Sequence, residues 1–245
     1  RACVRAKVAA LRADQLQGDA RDAAANEAMR HLMLADQSVQ PWLRPLVIVV
    51  GGVAGTGKTT LTLALADALG AQVLRTDVLR RELFGSGSHA AQPDAGVYSP
   101  QARTQVYDEM LRRLRSLHSD RVSVILDGTF STVDSLRAVQ QAIGDLPCVF
   151  LAVECVCRPE VAYARIGGRL AEGRDASEAR PEMHDIQRMR WQTWPTDLPQ
   201  IQIDTEQAND EQVEQVLQRL RSWCPQFLQP GFMRSWPASS KTFPH

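Results

Sequence analysis

Short apolar runs alternate along this chain with longer segments in which apolar residues recur every three or four positions. The short runs are typical of strands buried on both faces, and the periodic segments are typical of amphipathic helices. Strands that alternate with helices predict an α/β fold, with a mostly parallel sheet between two helical layers. The predicted strands cover residues 46–50, 72–75, 122–126, 148–154 and 201–203. Four predicted helices cover residues 100–117, 133–143, 177–190 and 210–220. Three more helices are predicted to begin near residues 58, 76 and 159.

The two ends of the chain differ from this central region. Residues 1–40 are rich in Ala, Arg, Asp and Gln, and their apolar residues have helical spacing. We predict two helices that divide near Gly18 and pack on a surface outside this chain. The apolar positions are Val4, Val8, Leu11, Met29, Leu32 and Met33. We therefore predict an N-terminal helical extension at 1–42, a main domain at 43–222, and an irregular C-terminal tail at 223–245.

A glycine-rich motif follows the first predicted strand. Gly52, Gly57, Lys58 and Thr59 meet the pattern G-x-x-x-x-G-K-[ST] in full, between a strand and a helix. Glycines let successive main-chain N–H groups point at a phosphate, and the lysine adds a positive charge. The motif predicts a P-loop NTPase that binds ATP, with the fold of a three-layer α/β sandwich. The predicted ATP-binding residues are Gly52, Val53, Ala54, Gly55, Thr56, Gly57, Lys58, Thr59 and Thr60.

Asp127 and Thr59 are the predicted ligands of a Mg²⁺ ion. Asp127 follows a buried apolar run, so its carboxylate should emerge at the carboxyl edge of the sheet beside the glycine-rich motif. The Thr59 hydroxyl is the Mg²⁺ contact that the motif supplies. Asp is also common as a cap of turns, and that interpretation of Asp127 stays open at this point.

Asp77 and Arg80 follow the second predicted strand at the same edge. A carboxylate there can accept the proton of an acceptor hydroxyl, while the arginine binds a phosphate or an anionic acceptor. We assign both to catalysis, together with Lys58. The alternative is that Asp77 only caps the next helix, a position that Asp favours whatever the function.

Arginines of the segment after residue 159 are candidates for contact with the γ-phosphate. Arginines on a movable segment can stabilise transition-state charge. Arg165 and Arg169 lie one helical turn apart and Arg174 follows, and we favour Arg169 and Arg174 as the catalytic ones. A solvated helix face is the alternative. Trp191 and Trp194 are expected to pack in the core rather than to stack on a base or sugar.

Composition disfavours several other classes of function. The chain has 28 Lys plus Arg and 28 Asp plus Glu, so its neutral net charge disfavours nucleic acid as the main partner. The sequence contains no apolar run of 18 residues, so it predicts no membrane span. The five cysteines lack zinc-ligand spacing and fit reduced thiols in a cytoplasmic protein.

These motifs together resemble a family of small P-loop kinases. The residues concerned are the phosphate motif, TDVLRREL at 76–83, VILDGTF at 124–130 and RIGGRLAEGRDAS at 165–177. The family includes gluconate kinase, chloramphenicol phosphotransferase, zeta toxin and the kinase domain of polynucleotide kinase. The resemblance implies that Asp77 is the acceptor-activating base, that Arg80 contacts the acceptor, and that Asp127 and Thr129 lie near the metal.

The chain also resembles the C-terminal half of bacterial proteins in which an aminoglycoside phosphotransferase-like domain precedes a P-loop kinase. RACVRAKVAALRA at 1–13 resembles the last helix of that upstream domain, and the chain begins with Arg1 rather than Met. We therefore expect a piece of a longer protein. Aminoglycoside phosphorylation is not carried over, because the catalytic residues of the upstream domain are absent from this sequence.

The leading hypothesis from the sequence is an ATP- and Mg²⁺-dependent kinase that phosphorylates a hydroxyl of a small molecule. Contacts to the acceptor are expected from the loop at 85–99 and from the arginine-bearing segment. One alternative is an ATP-binding regulatory module with at most slow hydrolysis, which acts on a fused or partner domain. Another is a kinase of nucleic-acid 5′-hydroxyl ends, which the neutral net charge disfavours.

Overall fold

The computed structural model of the chain describes residues 2–39, 44–85, 94–145, 147–172 and 181–223. They fall into two compact units, one within residues 1–44 and one within residues 45–245. The predicted tail at 223–245, apart from Trp223 at the end of a helix, and most of the loop at 85–99 lie outside the described residues. No described helix combines the length and the apolar composition needed to cross a bilayer.

The N-terminal unit is a pair of helices, α1 (Ala2–Ala13) and α2 (Asp19–Val39), that pack on each other. Gly18 allows the turn between them with a φ of 57°. Small side chains form the contact, and the larger apolar residues of the predicted faces point outward with more than half of their surface exposed. The buried residues are Ala6, Ala9, Ala13, Ala24 and Ala28.

The second unit is built on a five-stranded sheet. Its strands are β1 (Leu46–Gly51), β2 (Gln72–Arg75), β3 (Val124–Asp127), β4 (Val149–Val156) and β5 (Gln200–Asp204). The order across the sheet is β2-β3-β1-β4-β5, and every described pair is parallel. The prediction of a five-stranded parallel sheet is confirmed. Parallel strands require crossover connections, and each segment between two consecutive strands of this sheet contains at least one helix.

The helices of this unit are α3 (Lys58–Leu69), α4 (Thr76–Phe84), α5 (Pro100–Ser119), α6 (Val133–Ile143), α7 (Pro159–Glu172), α8 (Pro181–Met189) and α9 (Asn209–Trp223). A 3₁₀ turn at Gly96–Tyr98 precedes α5. Ser99 caps α5 through the Ala102 amide, and Thr132 caps α6 through the Ser135 amide.

Each face of the sheet has its own hydrophobic core. All six residues of β1 are buried, and successive side chains point to opposite faces. Val47 and Val49 join the core under α5 and α6, whereas Ile48 and Val50 join the core under α3 and α9. The central strand therefore fixes the position of the loop that follows it, because its side chains are enclosed on both faces.

Several predicted boundaries shift by a few residues. The predicted third strand begins at 122, but β3 begins at Val124 because Arg121 adopts a φ of 58° and keeps the chain in a turn. The fourth predicted strand ends at 154, whereas β4 continues to Val156, where it still pairs with Asp204 of β5. The predicted helix at 177–190 is described from Pro181 onward as α8.

Candidate active site

The phosphate loop, residues 52–59, connects β1 to α3 at the carboxyl edge of the sheet. Gly57 is the N-cap residue of α3 and adopts a left-handed conformation with a φ of 80°. Gly55 has a φ of 82° and lies against α7, where a Cβ atom would approach the Ala162 carbonyl oxygen to 2.6 Å. Both positions therefore require glycine, one for its backbone angle and the other also for space. The loop leads into a helix N-terminus, which is a favourable site for phosphate.

Lys58 is bound within the loop. Its Nζ donates a hydrogen bond of 2.9 Å to the Val53 carbonyl, and the Thr56 hydroxyl donates to the same oxygen at 2.9 Å. Lys58 also lines the cavity in front of the loop, so its charge is available there. The contact between Lys58 and a phosphate stays a prediction.

Asp127 lies at the end of β3, next to the loop. The sheet register pairs Asp127 with Val50 of β1 and with Arg75 of β2. The Thr59 hydroxyl donates to its carboxylate at 2.7 Å, and Arg75 Nε donates at 3.3 Å. The hydrogen bonds described for the Asp127 carboxylate therefore go to Thr59 and Arg75, and none is described to the following turn, as a capping role would require. Only 3% of Asp127 is exposed, and burial raises the pKa of its carboxyl, whereas Lys58, Thr59 and Arg75 oppose that rise.

The residues present at this point fit a magnesium ion. Carboxylate and hydroxyl oxygens are ligands that Mg²⁺ prefers, and the ion is usually held by one or two carboxylates together with substrate phosphates. Among the described residues, no group of three or more His, Cys, Asp or Glu side chains is placed to hold a metal. Asp127 and Thr59 therefore suit an ion that arrives with a nucleotide.

Asp77 is the second residue of α4 and pairs with Arg80. Its Oδ1 accepts a hydrogen bond of 2.7 Å from Arg80 Nη1. The N-cap residue of α4 is Arg75, without a side-chain cap hydrogen bond, so the alternative interpretation of Asp77 as the cap is wrong. The Arg80 guanidinium lies 4.8 Å from the centroid of the Tyr98 ring, a cation–π contact. The two contacts fix the arginine in one position beside Asp77.

A cavity of about 450 Å³, here called the front cavity, opens between the phosphate loop and α4, α5, α6 and α8. Lys58, Asp77 and Arg80 line it, so three of the predicted catalytic residues share one space. Hydroxyl-bearing residues form much of the remaining wall. These are Thr76, Tyr98, Thr104, Tyr107, Thr129, Ser131, Thr132 and Ser135.

Arg165 and Arg169 lie on α7, and Arg174 lies outside the described residues. Arg165 donates to the hydroxyl and the carbonyl of Thr205, and a Cβ atom on Gly57 would lie 3.3 Å from its Nη1. Arg169 Nε donates to the Arg165 carbonyl at 3.3 Å, and Arg169 is not among the described residues that line the front cavity. The described contacts therefore place Arg165 beside the phosphate loop, and the catalytic roles of Arg169 and Arg174 stay predictions.

The tryptophans have the packing role that the sequence predicts for them. Trp194 is 2% exposed, and its Nε1 donates to the Phe130 carbonyl. Its ring covers Gly51, where a Cβ atom would approach it to 2.6 Å. Trp191 packs on Trp194 with ring centroids 5.6 Å apart. These rings support the backbone at the start of the phosphate loop.

The structure adds residues to the site that the sequence analysis did not select. Arg75 is one of them, and its position at the end of a predicted strand was a usable signal. Asp94 binds Arg103 and Arg190 at the front cavity, and these ion pairs lower the pKa of Asp94 to about 2, chiefly through the hydrogen bond from Arg190. No sequence spacing links these three positions.

His184 and Gln187 are further additions, and both come from α8. Gln187 Oε1 accepts a hydrogen bond of 2.7 Å from the Ala54 amide, and His184 Nδ1 lies 2.8 Å from the Ala54 carbonyl oxygen. Because a carbonyl oxygen only accepts hydrogen bonds, Nδ1 of His184 carries a proton. Both polar groups of one residue in the phosphate loop are therefore bound by α8.

Known proteins with a similar sequence cover most of this unit. The AAA domain family matches residues 47–193, more than half of the chain. The protein described as "Uncharacterized protein Rv2004c" of Mycobacterium tuberculosis is 37% identical over 180 residues, which are 72% of this chain and 35% of the relative. The corresponding protein of Mycobacterium bovis, Mb2027c, gives the same values. The chain thus spans about a third of the length of the curated relatives it matches.

Several solved structures with a similar fold are described as kinases. A sugar kinase from Janibacter sp. HTCC2649 has a TM-score of 0.57 and 17% identity, with 72% of this chain and 94% of that chain covered. A gluconokinase from Sinorhizobium meliloti 1021 has a TM-score of 0.55 and 16% identity, with 80% and 99% covered. The APS kinase CysC of Mycobacterium tuberculosis, in complex with AMPPNP and APS, has a TM-score of 0.54 and 18% identity, with 73% and 98% covered.

At these identities the structural likeness shows the fold, which is that of the P-loop NTPases. The matched residues 47–193 contain the phosphate loop, Asp77, Asp127 and α8. The chain belongs to the AAA domain family.

Proposed function

We propose that this protein is an ATP- and Mg²⁺-dependent kinase that transfers the γ-phosphoryl group to a hydroxyl of a small molecule. The observation that carries the proposal is the convergence of Lys58, Asp77 and Arg80 on the front cavity. The Thr59–Asp127 contact of 2.7 Å lies at the same edge of the sheet. Phosphoryl transfer needs positioned charges more than covalent chemistry, and these are the charges it needs.

In this proposal the phosphate loop and the N-terminus of α3 bind the triphosphate. Main-chain amides and the helix dipole favour the anion, and Lys58 neutralises part of the charge on the β- and γ-phosphates. Thr59 and Asp127 would hold the metal ion, which when bound would neutralise part of the remaining charge on the phosphates. The ion pair between Arg75 and Asp127 is expected to keep the buried carboxylate ionised for this purpose.

Asp77 is the proposed general base. The acceptor oxygen forms a bond to the γ-phosphorus, the bond from that phosphorus to the bridging oxygen of ADP breaks, and the hydroxyl proton passes to Asp77. The side chain of Asp77 is 30% exposed, so it is accessible from the front cavity. Arg80 is held by Asp77 and Tyr98, and in this proposal it orients the acceptor.

The similar folds support the same class of reaction. Three of the solved structures with this fold are described as a sugar kinase, a gluconokinase and an APS kinase. The hydroxyl-rich wall of the front cavity is suited to a polar acceptor with several hydrogen-bonding groups. A phosphorylated product of this kind is also what separates a kinase from a regulatory module that only binds ATP.

The first prediction concerns Asp77→Asn. Asparagine keeps the shape of the side chain and an oxygen for Arg80 but cannot accept the proton, so the transfer rate should fall by about 10²–10⁴-fold. The affinity for ATP, measured by isothermal titration, should stay within about twofold because Asp77 does not bind the triphosphate. Transfer is measured with labelled ATP, Mg²⁺ and a pool of small hydroxyl compounds.

Two further variants serve as controls for this experiment. Asp67→Asn changes an exposed carboxylate on α3 outside the front cavity, and it should leave both transfer and ATP affinity unchanged. Lys58→Ala should weaken ATP binding and remove transfer. If Asp77→Asn transferred phosphate as fast as the wild type, Asp77 would not be the base. If the wild type bound ATP but phosphorylated none of the compounds, the regulatory alternative would be favoured.

A further inference from the structure

Ala54 of the phosphate loop is held by α8 alone among the contacts described for its backbone. Its amide donates to Gln187 Oε1 at 2.7 Å, and its carbonyl accepts from His184 Nδ1 at 2.8 Å. His184 and Gln187 lie three positions apart on α8 and therefore face the same side of the helix. The contacts join positions separated by 130 and 133 residues, so α8 determines how the two peptide groups on either side of the Ala54 Cα are oriented.

The two contacts differ in their surroundings. His184 is 2% exposed and packs edge-on against the Tyr163 ring of α7, with centroids 5.2 Å apart. Gln187 is only half-buried, and it lines the front cavity together with Ala54, Lys58 and Asp77. His184 is thus a buried residue that holds the Ala54 carbonyl, whereas Gln187 lies where a substrate can reach it.

The carboxamide nitrogen of Gln187 donates to none of the residues that the structure describes. The carboxamide oxygen binds the Ala54 amide, and no acceptor is described for Nε2 among the residues of the structure. Nε2 carries two hydrogens, which can donate to a phosphoryl oxygen. Hydrogen bonds to a charged acceptor are stronger than those between neutral groups. A side chain in this position is therefore suited to an anion next to Ala54.

We propose that Gln187 contacts the transferred phosphoryl group, with Oε1 on the Ala54 amide and Nε2 donating to a γ-phosphate oxygen. This inference rests on the proposed function. The γ-phosphorus has to lie between the phosphate loop and Asp77 for the acceptor to attack it, and Gln187 lines that space. The α- and β-phosphates are expected near the amides at the start of α3, on the other side of Lys58.

The proposal is tested by comparing the affinities for Mg·AMPPNP and Mg·ADP, because only the first carries a γ-phosphoryl group. The key variant is Gln187→Glu, which keeps an oxygen for the Ala54 amide but replaces the donor with a negative charge. We expect its Kd for Mg·AMPPNP to rise by about tenfold or more and its Kd for Mg·ADP to stay within about twofold. Isothermal titration measures both without knowledge of the acceptor.

The matched control is Gln192→Glu. Gln192 makes the same type of contact, since its Oε1 accepts from the Val133 amide at 2.9 Å, but it is not among the described residues that line the front cavity. Both affinities should be unchanged in this variant. A selective loss that also occurred in Gln192→Glu would reflect net charge alone and would overturn the proposal.

A second variant keeps the test valid if Gln187→Glu folds poorly. Gln187→Met has a similar length, no charge and no hydrogen-bond donor, and it should also weaken Mg·AMPPNP binding more than Mg·ADP binding. Equal losses for the two nucleotides, or no loss, would assign Gln187 a purely structural role and overturn the inference. A wild-type protein that bound neither nucleotide would instead overturn the proposed function, and the inference with it.

Discussion

Asp127 is a carboxylate in a place that disfavours its charge. It is 3% exposed, and burial is the largest influence on its pKa, which is raised. Lys58, Thr59 and Arg75 act in the opposite direction. A buried carboxylate of this kind decreases the stability of the free protein unless a cation arrives. The proposed Mg²⁺ ion would relieve that cost, so nucleotide binding and stability should be coupled at this residue.

This coupling leads to a prediction for Asp127→Asn. Because the pKa of Asp127 is raised on folding, its proton stabilises the native state fully below the ordinary value of 3.8, and this contribution is lost as the pH rises through the raised value. At neutral pH the variant avoids the buried charge and should melt at a higher temperature than the wild type. The difference in melting temperature between Asp127→Asn and the wild type should become smaller as the pH falls toward 3.8.

Thermal denaturation between pH 4 and pH 8, without metal or nucleotide, measures this effect. In the same variant, Mg²⁺ should no longer increase the affinity for ATP. A lower melting temperature of Asp127→Asn at neutral pH would mean that the interactions with Lys58 and Arg75 outweigh the burial of the charge, contrary to the prediction.

At the scale of elements, the phosphate loop is shaped by the two helices that lie against it. Gly55 lies against Ala162 of α7, and Ala54 is bound by α8. Loops that bind phosphate need backbone amides in fixed directions. The position of α7 and α8 is therefore part of the nucleotide site, although neither helix belongs to the G-x-x-x-x-G-K-[ST] motif.

Gly55→Ala tests the contact with α7. The added Cβ would meet the Ala162 carbonyl oxygen at 2.6 Å, and the φ of 82° already disfavours a side chain. Backbone atoms cannot move aside as a flexible side chain can, so we expect a loss of about 2–4 kcal/mol in the free energy of unfolding. The affinity for ATP should fall at least about tenfold because the loop amides shift. Urea denaturation and isothermal titration measure the two effects.

Gly167→Ala is the control, because Gly167 lies on α7, the helix against which Gly55 packs. A Cβ atom at Gly167 would meet nothing within 4 Å, and alanine favours helix over glycine. This variant should be as stable as the wild type or more stable, by up to about 1 kcal/mol. If Gly55→Ala and Gly167→Ala behaved alike, close packing between the loop and α7 would not matter for either property.

At the scale of the whole molecule, the described residues form two compact units, and every residue proposed for the site lies in the second. We propose that residues 45–223 are the kinase domain. A chain that begins at Pro45 should fold and bind Mg·AMPPNP with a Kd within about threefold of the full chain, because β1 and the two cores remain complete. Circular dichroism and isothermal titration measure both properties.

The matched control begins at Gly52 and removes the central strand. Because β1 is buried along its entire length between β3 and β4, this chain should not fold. Loss of nucleotide binding in the chain that begins at Pro45 would instead mean that residues 1–44 contribute to the second unit, and the proposed division would be wrong.

Local patterns were sufficient to predict much of this fold. The five strands are found within a few residues of their predicted places, since apolar runs bounded by polar turns depend only on neighbouring positions. The sharing of one cavity by Asp77 and Lys58 was also predictable, because parallel strands direct their carboxyl ends to one edge. Errors arose at strand ends, where Arg121 and Val156 show that turns and pairing decide the boundary.

Contacts between distant segments could not be predicted in this way. No spacing in the sequence links Asp94 to Arg190 or Gln187 to Ala54, because each contact depends on where an entire helix lies. The different contacts of Arg165 and Arg169 were unpredictable for the same reason, since both have the same helical spacing and only the packing of α7 distinguishes them. The catalytic role of Arg169 stays a prediction.

The sequence by itself determined the phosphate loop, its lysine and the alternation of strands and helices, because backbone angles and periodicity act over a few neighbouring residues. Only the tertiary structure decided which side chains join the predicted Asp127 and Asp77 at that loop. The order β2-β3-β1-β4-β5 brings Arg75 onto Asp127, and the packing of α8 brings His184 and Gln187 onto Ala54. Those contacts exist because two buried cores hold segments more than 50 residues apart in fixed positions.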